Sequence, residues 1–327
     1  MTLLRILALL LAFNAPAMAA GVREITVPSD PHGPKIDALM WTPCPAPPAD
    51  AQTLDPRLAD LGVMSAVPGF TNCDIPSAAL PLIVFSHGFG GSFVDHADLA
   101  EALADAGYAV VALNHPLDSA ADMKHAEDMS SMTARPTDVR RLLDYVLQSS
   151  PEAVHIDPRR IAFFGFSRGG YTGLVLAGAV PDFPIWVQAR LFLSHIWPSA
   201  NDAPADPPGQ DPRFKAFVIA DPLTFFPGKG SLRTITAPIQ LWSSQSGGQG
   251  VTPEKVAAVA NDLPARPDFH QVPKSGHLSF LPPCAPAVAK AAPQACVDPL
   301  GFDRVAFRRQ FITEVLTFFR KSLAEQQ

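Results

Sequence analysis

Gly165-Phe166-Ser167-Arg168-Gly169 is the stretch of this chain best equipped for chemistry. A serine with glycine at i−2 and i+2 suits a sharp strand-to-helix turn that lifts its Oγ clear of the backbone. The glycines are needed because a Cβ at either flank would collide with the returning chain. The surroundings supply that context: Ile161 to Phe164 is a short apolar run, and Tyr171 to Ala179 reads as a helix. The serine would then stand at the positive end of the helix dipole. Such a serine attacks acyl carbons, and at neutral pH it needs a base.

Among nine histidines, His277 has the right place. It lies on the loop Lys274-Ser275-Gly276-His277, after an expected last strand at Asp268 to Val272. That position fits the order nucleophile, acid, base. His270 falls inside the strand pattern and is expected to pack there. The charge that develops on the carbonyl oxygen needs two donors. Ser86-His87-Gly88-Phe89-Gly90-Gly91 follows the apolar run Leu82 to Phe85 and has the H-G-x-G form of an oxyanion loop. The expected donors are the backbone N–H groups of Phe89 and of Arg168, the residue after the nucleophile. His87 is expected to anchor the loop. His115, after the run at 109–113, is a candidate pocket residue whose competing role is a structural hydrogen bond.

The acid is the least determined member. The loop after the apolar run at 239–242 is where it commonly sits, but Ser243 to Gly250 contains no carboxylate. The first one beyond is Glu254. Asp221, at the end of the preceding run and before Pro222, is the other candidate; it would have to reach the Nδ1–H of the base.

These residues need a scaffold. Apolar runs at 82–85, 109–113, 161–164, 216–219 and 239–242 read as strands buried on both faces. Helical patterns lie between and after them, at His96–Ala106, Arg135–Gln148, Tyr171–Ala179, Val251–Leu263 and Phe302–Leu323. The alternation implies a mostly parallel sheet covered on both sides. Val22–Val27 and Lys35–Trp41 are expected to open it as a hairpin. A proline-rich insertion spans 44–80. The segment 181–213 is a candidate lid, and its Trp186 and Trp197 are candidate pocket residues.

The chain has 327 residues, net charge −6, 47% hydrophobic and 17% charged residues, which argues against disorder and gives no basic surface for nucleic acid. Arg5, the apolar run Ile6–Phe13 and Ala17-Met18-Ala19 together read as an export signal over 1–20, removed to leave a 21–327 domain in the periplasm or outside the cell. That apolar run is too short to span a bilayer. Four cysteines allow three pairings. Local pairing, Cys44–Cys73 and Cys284–Cys296, is expected as loop staples in an oxidising compartment. With no C-x-x-C and no nearby histidine at ligand spacing, a metal site is not expected.

Trp41-Thr42-Pro43, Pro81 to Gly91, Asn114-His115-Pro116, Arg135 to Val139, Gly165 to Gly170 and Gly276 to Cys284, in that order, resemble the α/β-hydrolase superfamily. Within it they resemble the platelet-activating-factor acetylhydrolase-like and "predicted dienelactone hydrolase" group. The resemblance implies an α/β-hydrolase fold with an inserted lid, and a cofactor-free carboxylesterase or lipase-like enzyme. Those acetylhydrolase-like enzymes place their acid at the strand end occupied here by Asp221, which favours it over Glu254. Dienelactone hydrolases proper use a cysteine nucleophile; Ser167 argues against that reaction. The expected substrate is a small-molecule, lipid or polyester ester. A serine peptidase on the same fold and a catalytically inactive binding protein are the alternatives.

Overall fold

A computed structural model describes residues 19–45, 49, 67, 69–126, 130–183 and 209–324. Eight strands form one sheet: β1 (Ala19–Val27), β2 (Ile36–Cys44), β3 (Leu80–Ser86), β4 (Ala109–Leu113), β5 (Ile156–Phe166), β6 (Phe214–Ala220), β7 (Ile239–Ser244) and β8 (Asp268–Val272). Their order across the sheet is β1-β2-β4-β3-β5-β6-β7-β8. The hairpin β1–β2 is antiparallel and joins β4 antiparallel. Every pairing from β4 to β8 is parallel.

The helices are α1 (Ala97–Asp105), α2 (Ser130–Gln148), α3 (Arg168–Ala177), α4 (Lys229–Leu232), α5 (Pro253–Asp262), α6 (Pro286–Ala291) and α7 (Arg304–Ser322). The strands alternate between two cores. Leu82, Val84 and Phe163 face Val139, Leu142, Leu174 and Val256 of α2, α3 and α5. Ile83, Phe85 and Phe164 face Leu99, Leu103, Phe311 and Phe319 of α1 and α7. A sheet apolar on both faces must be covered twice, which is why its inner strands read as unbroken apolar runs.

Helix ends follow local chemistry. Asp303 caps α7 by accepting from the Ala306 amide at 2.9 Å, and Thr252 with Pro253 opens α5. Some boundaries depart from the sequence expectation: β5 begins at Ile156 and α3 at Arg168. Helix α2 begins at Ser130, not Arg135, and carries Pro136 in its interior. Ser131, Met132 and Arg135 are all buried, so the extra turn packs against the body and outweighs the one hydrogen bond a proline removes.

The connections set the site. From β3 the chain steps outward to β4, then crosses back to β5 on the other side and proceeds to β8. The β3/β5 boundary is thus the point where the winding reverses. The loops leaving the carboxyl ends of those two strands diverge and leave a crevice between them. The glycine-rich loop 87–91 follows β3, and Ser167 follows β5. Cys44 is joined to Cys73, and Cys284 to Cys296, the local pairing expected. Among the described residues no helix is long and apolar enough to cross a membrane.

Candidate active site

Ser167 sits between β5 and α3 with φ 57° and ψ −115°. That conformation is rare for a side-chain-bearing residue and costs on the order of 1–3 kcal/mol. The turn is closed on all sides. A Cβ on Gly165 would run into the Gly169 carbonyl, and one on Gly169 into the Ser86 carbonyl. The Ser167 amide donates to Ala220 O at 3.0 Å, and its carbonyl accepts from Tyr171 and Leu223 amides, each at 3.0 Å. The strained residue is thereby fixed from β6 and α3 together.

Ser167 Oγ lies 3.0 Å from His277 Nε2. His277 Nδ1 lies 2.7 Å from Asp221 Oδ2. All three side chains are buried. The His277 ring stacks on Phe166, the residue before Ser167, with centroids 4.7 Å apart. Its amide donates to Gly247 O at 2.8 Å, which ties the histidine loop to the loop after β7.

Asp221 follows β6 with φ 43°, so it too is a non-glycine residue in left-handed backbone. Its carboxylate is fully buried and has three donors. Ser244 N donates to Oδ1 at 2.7 Å, Ser244 Oγ to Oδ2 at 2.8 Å, and His277 to Oδ2. These bonds offset the cost of burying a carboxylate. Ser244 stands at the end of β7, at the start of the carboxylate-free stretch that runs to Gly250. Here the end of β7 supplies two of the three hydrogen-bond donors to Asp221. Glu254 lies exposed in the first turn of α5, and the structure does not bring it to His277.

The other side of Ser167 is the loop after β3. His87 Nδ1 donates to Gly88 O at 2.7 Å, and its Nε2 accepts from the His115 amide at 3.1 Å. Burial and the nearby Arg135 push His87 down to about 3, so it is neutral and serves as an anchor, not a base. Phe89 is partly exposed, and the Arg168 guanidinium covers its ring at 4.4 Å. The Arg168 amide opens α3, where an α-helix leaves its first N–H groups for acceptors outside the helix.

His115 does not reach a pocket wall. It is fully buried, with Nε2 2.8 Å from Ser86 Oγ and Nδ1 3.0 Å from Asp138 Oδ2. Burial pushes His115 well below its ordinary value and Asp138 well above its own. The pair is a structural hydrogen bond beneath the loop. Trp186 and Trp197, with residues 184–208 of the expected lid, lie outside the described residues.

Two residues escaped the sequence reading. Ser244 became visible only when the ends of β6 and β7 were side by side. Asp118 accepts from Arg135 Nε at 2.7 Å and from Arg168 Nη1 at 3.3 Å. Burial opposes its charge, yet the two arginines hold its carboxyl below the usual range.

The family model of platelet-activating factor acetylhydrolase, isoform II, matches residues 64–174, about a third of the chain. That stretch contains the loop 87–91 and Ser167 but ends before Asp221 and His277. No curated protein matches the sequence. Among solved structures, a ferulic acid esterase from Streptomyces cinnamoneus is similar, with TM-score 0.67 and 18% identity over 95% of this chain and 91% of that one. The chain therefore has the α/β-hydrolase fold.

Proposed function

We propose that this α/β-hydrolase-fold chain is an exported serine carboxylic ester hydrolase. The observation that carries the reading is the unbroken hydrogen-bonded line Ser167 Oγ, His277 Nε2, His277 Nδ1, Asp221 Oδ2, at 3.0 and 2.7 Å. His277 takes the Ser167 proton as Oγ attacks the ester carbonyl. Asp221 accepts the Nδ1–H and stabilises the imidazolium that forms. The Phe89 and Arg168 amides receive the oxyanion. The alcohol leaves with the proton from His277. A water deprotonated by His277 then releases the acid and restores Ser167. Export is supported by the leader-like first twenty residues and by two disulfides on loops.

The substrate is a small-molecule, lipid or polyester ester; the name of the structural neighbour adds ferulate esters to those worth testing. Purified protein and Ser167→Ala are assayed on p-nitrophenyl esters from acetate to palmitate and on a ferulate ester. Turnover by the wild type, with the variant reduced to background, is expected. A variant that keeps full activity excludes Ser167 as nucleophile. A wild type inactive on all of them and unlabelled by a fluorophosphonate favours a binding protein.

A further inference from the structure

We infer that Arg135, with Asp118 behind it, is a positioning residue that aims the oxyanion amide of Phe89. The inference rests on the ester-hydrolase reading and goes beyond it. Arg135 is fully buried in α2, a costly place for a cation unless every donor is matched. Its Nη1 donates to His87 O at 2.7 Å and its Nη2 to Gly88 O at 3.1 Å. Nε donates to Asp118 Oδ2 at 2.7 Å. One guanidinium therefore grips two successive carbonyls of the oxyanion loop.

The consequence follows from peptide geometry. In a trans peptide the C=O and the next N–H point in opposite directions in one plane. Holding Gly88 C=O against Arg135 therefore turns the Phe89 N–H away from it. Gly88 O is held a second time by His87 Nδ1–H. The neighbouring Gly90 has φ 58°, so the loop's backbone is of a kind that flips readily without such clamps. Asp118 completes the device. It also pairs with Arg168, whose side chain lies on the Phe89 ring. The loop donor and the elbow donor are thus tied to one carboxylate. A lysine at 135 would keep the charge for Asp118 but could not present the planar fork that spans two carbonyls.

The test compares wild type, Arg135→Lys, Arg135→Met and, as a control for burial, Arg141→Lys. Arg141 is also a buried arginine, but its hydrogen bonds go to Asp30 and to the Pro28 and Gly33 carbonyls, with Asp138 Oδ1 4.0 Å away, and not to the carbonyls of His87 and Gly88. The readouts are kcat and KM on p-nitrophenyl acetate, melting temperature, and inhibition by an aryl trifluoromethyl ketone, which adds Ser167 and places an oxyanion in the hole. Loss of one oxyanion donor typically costs on the order of 10²-fold in kcat. Both Arg135 variants are expected to lose about that much in kcat with KM nearly unchanged, and to weaken the ketone in parallel. Arg141→Lys is expected to lower the melting temperature comparably while leaving kcat alone. If the Arg135 variants do not fold, Asp118→Asn is expected to lower kcat about tenfold with the same KM. Folded variants with wild-type kcat, or with kcat and KM lost in the same way as in Arg141→Lys, overturn the clamp alone. A wild type that hydrolyses no ester overturns the parent reading and the clamp with it.

Discussion

On one side of Ser167 stand His277 and Asp221, side chains that would themselves carry the proton, braced by serines and backbone: Ser244 on Asp221, Gly247 on His277. On the other side stands the loop after β3, where on the proposed reading the working groups are backbone amides and the side chains hold them. There the braces are ionic or buried and titratable: Arg135, Asp118, His87, and the pair His115–Asp138. A side chain brings its own chemistry and needs modest orientation. A peptide group has no chemical identity in the sequence, so its direction must be imposed, and the strongest donors available are used for the purpose.

The sharpest way to break this contrast is on the proton side. Asp221→Asn keeps shape but cannot hold the His277 Nδ1–H tautomer, and is expected to lower kcat by on the order of 10³–10⁴. Glu254→Gln is expected to leave kcat unchanged. The reverse result would move the acid to α5, 33 positions on by sequence number. Rates at saturating p-nitrophenyl acetate distinguish the two.

A smaller effect is expected from the brace on that side. Ser244→Ala removes one donor from Asp221 Oδ2 and the acceptor of the Gly247 amide, while Ser244 N still serves Oδ1. We expect a roughly tenfold lower kcat and about 1–3 kcal/mol of stability lost, the scale of one unsatisfied buried polar group. If Ser244→Ala loses as much activity as Asp221→Asn, the hydroxyl does more than hold the acid, and the proton side is not the simpler of the two.

The same contrast explains what could be read in advance. Ser167 and His277 were legible because residue type, chain order and a glycine-bounded turn converge on them. The parallel, doubly covered sheet was legible because inner strands are apolar on both faces. Asp221 could be reached only through the missing carboxylate between Ser243 and Gly250, together with a resemblance. Arg135 and Ser244 were not legible as parts of the site. Arg135 lies 48 positions from the carbonyl it grips, and an arginine near a proline at an expected helix start looks like surface. Ser244 acts across two strands whose pairing no local pattern encodes. Residues that react announce themselves by type, whereas residues that aim the backbone become visible only after long-range contacts form.

The mildest perturbation concerns acid. His87, His96 and His115 are all buried beneath or beside the oxyanion loop, and burial pushes each below its ordinary value of 6.5. Below about pH 6.5 the unfolded chain takes up protons there that the folded chain refuses. The unfolded state then binds more protons, so the histidines' contribution is intact above pH 6.5 and is lost as pH falls toward their folded values. Asp138, pushed up by burial, acts in the opposite sense, so the net slope is less than three histidines would give. His96 isolates one of them. It packs edge-on against Phe164 and Phe166 at 4.9 and 5.5 Å, and neither ring nitrogen has a hydrogen-bond partner among the described residues. Replacing it with leucine removes the proton and leaves both flanks of Ser167 in place. Urea unfolding of His96→Leu at pH 7, 6 and 5 is expected to show a slope against pH shallower than wild type by up to about 1.4 kcal/mol per unit. An unchanged slope would mean that His96 takes up its proton alike in the folded and the unfolded chain, leaving His87 and His115 as the buried histidines behind the acid sensitivity.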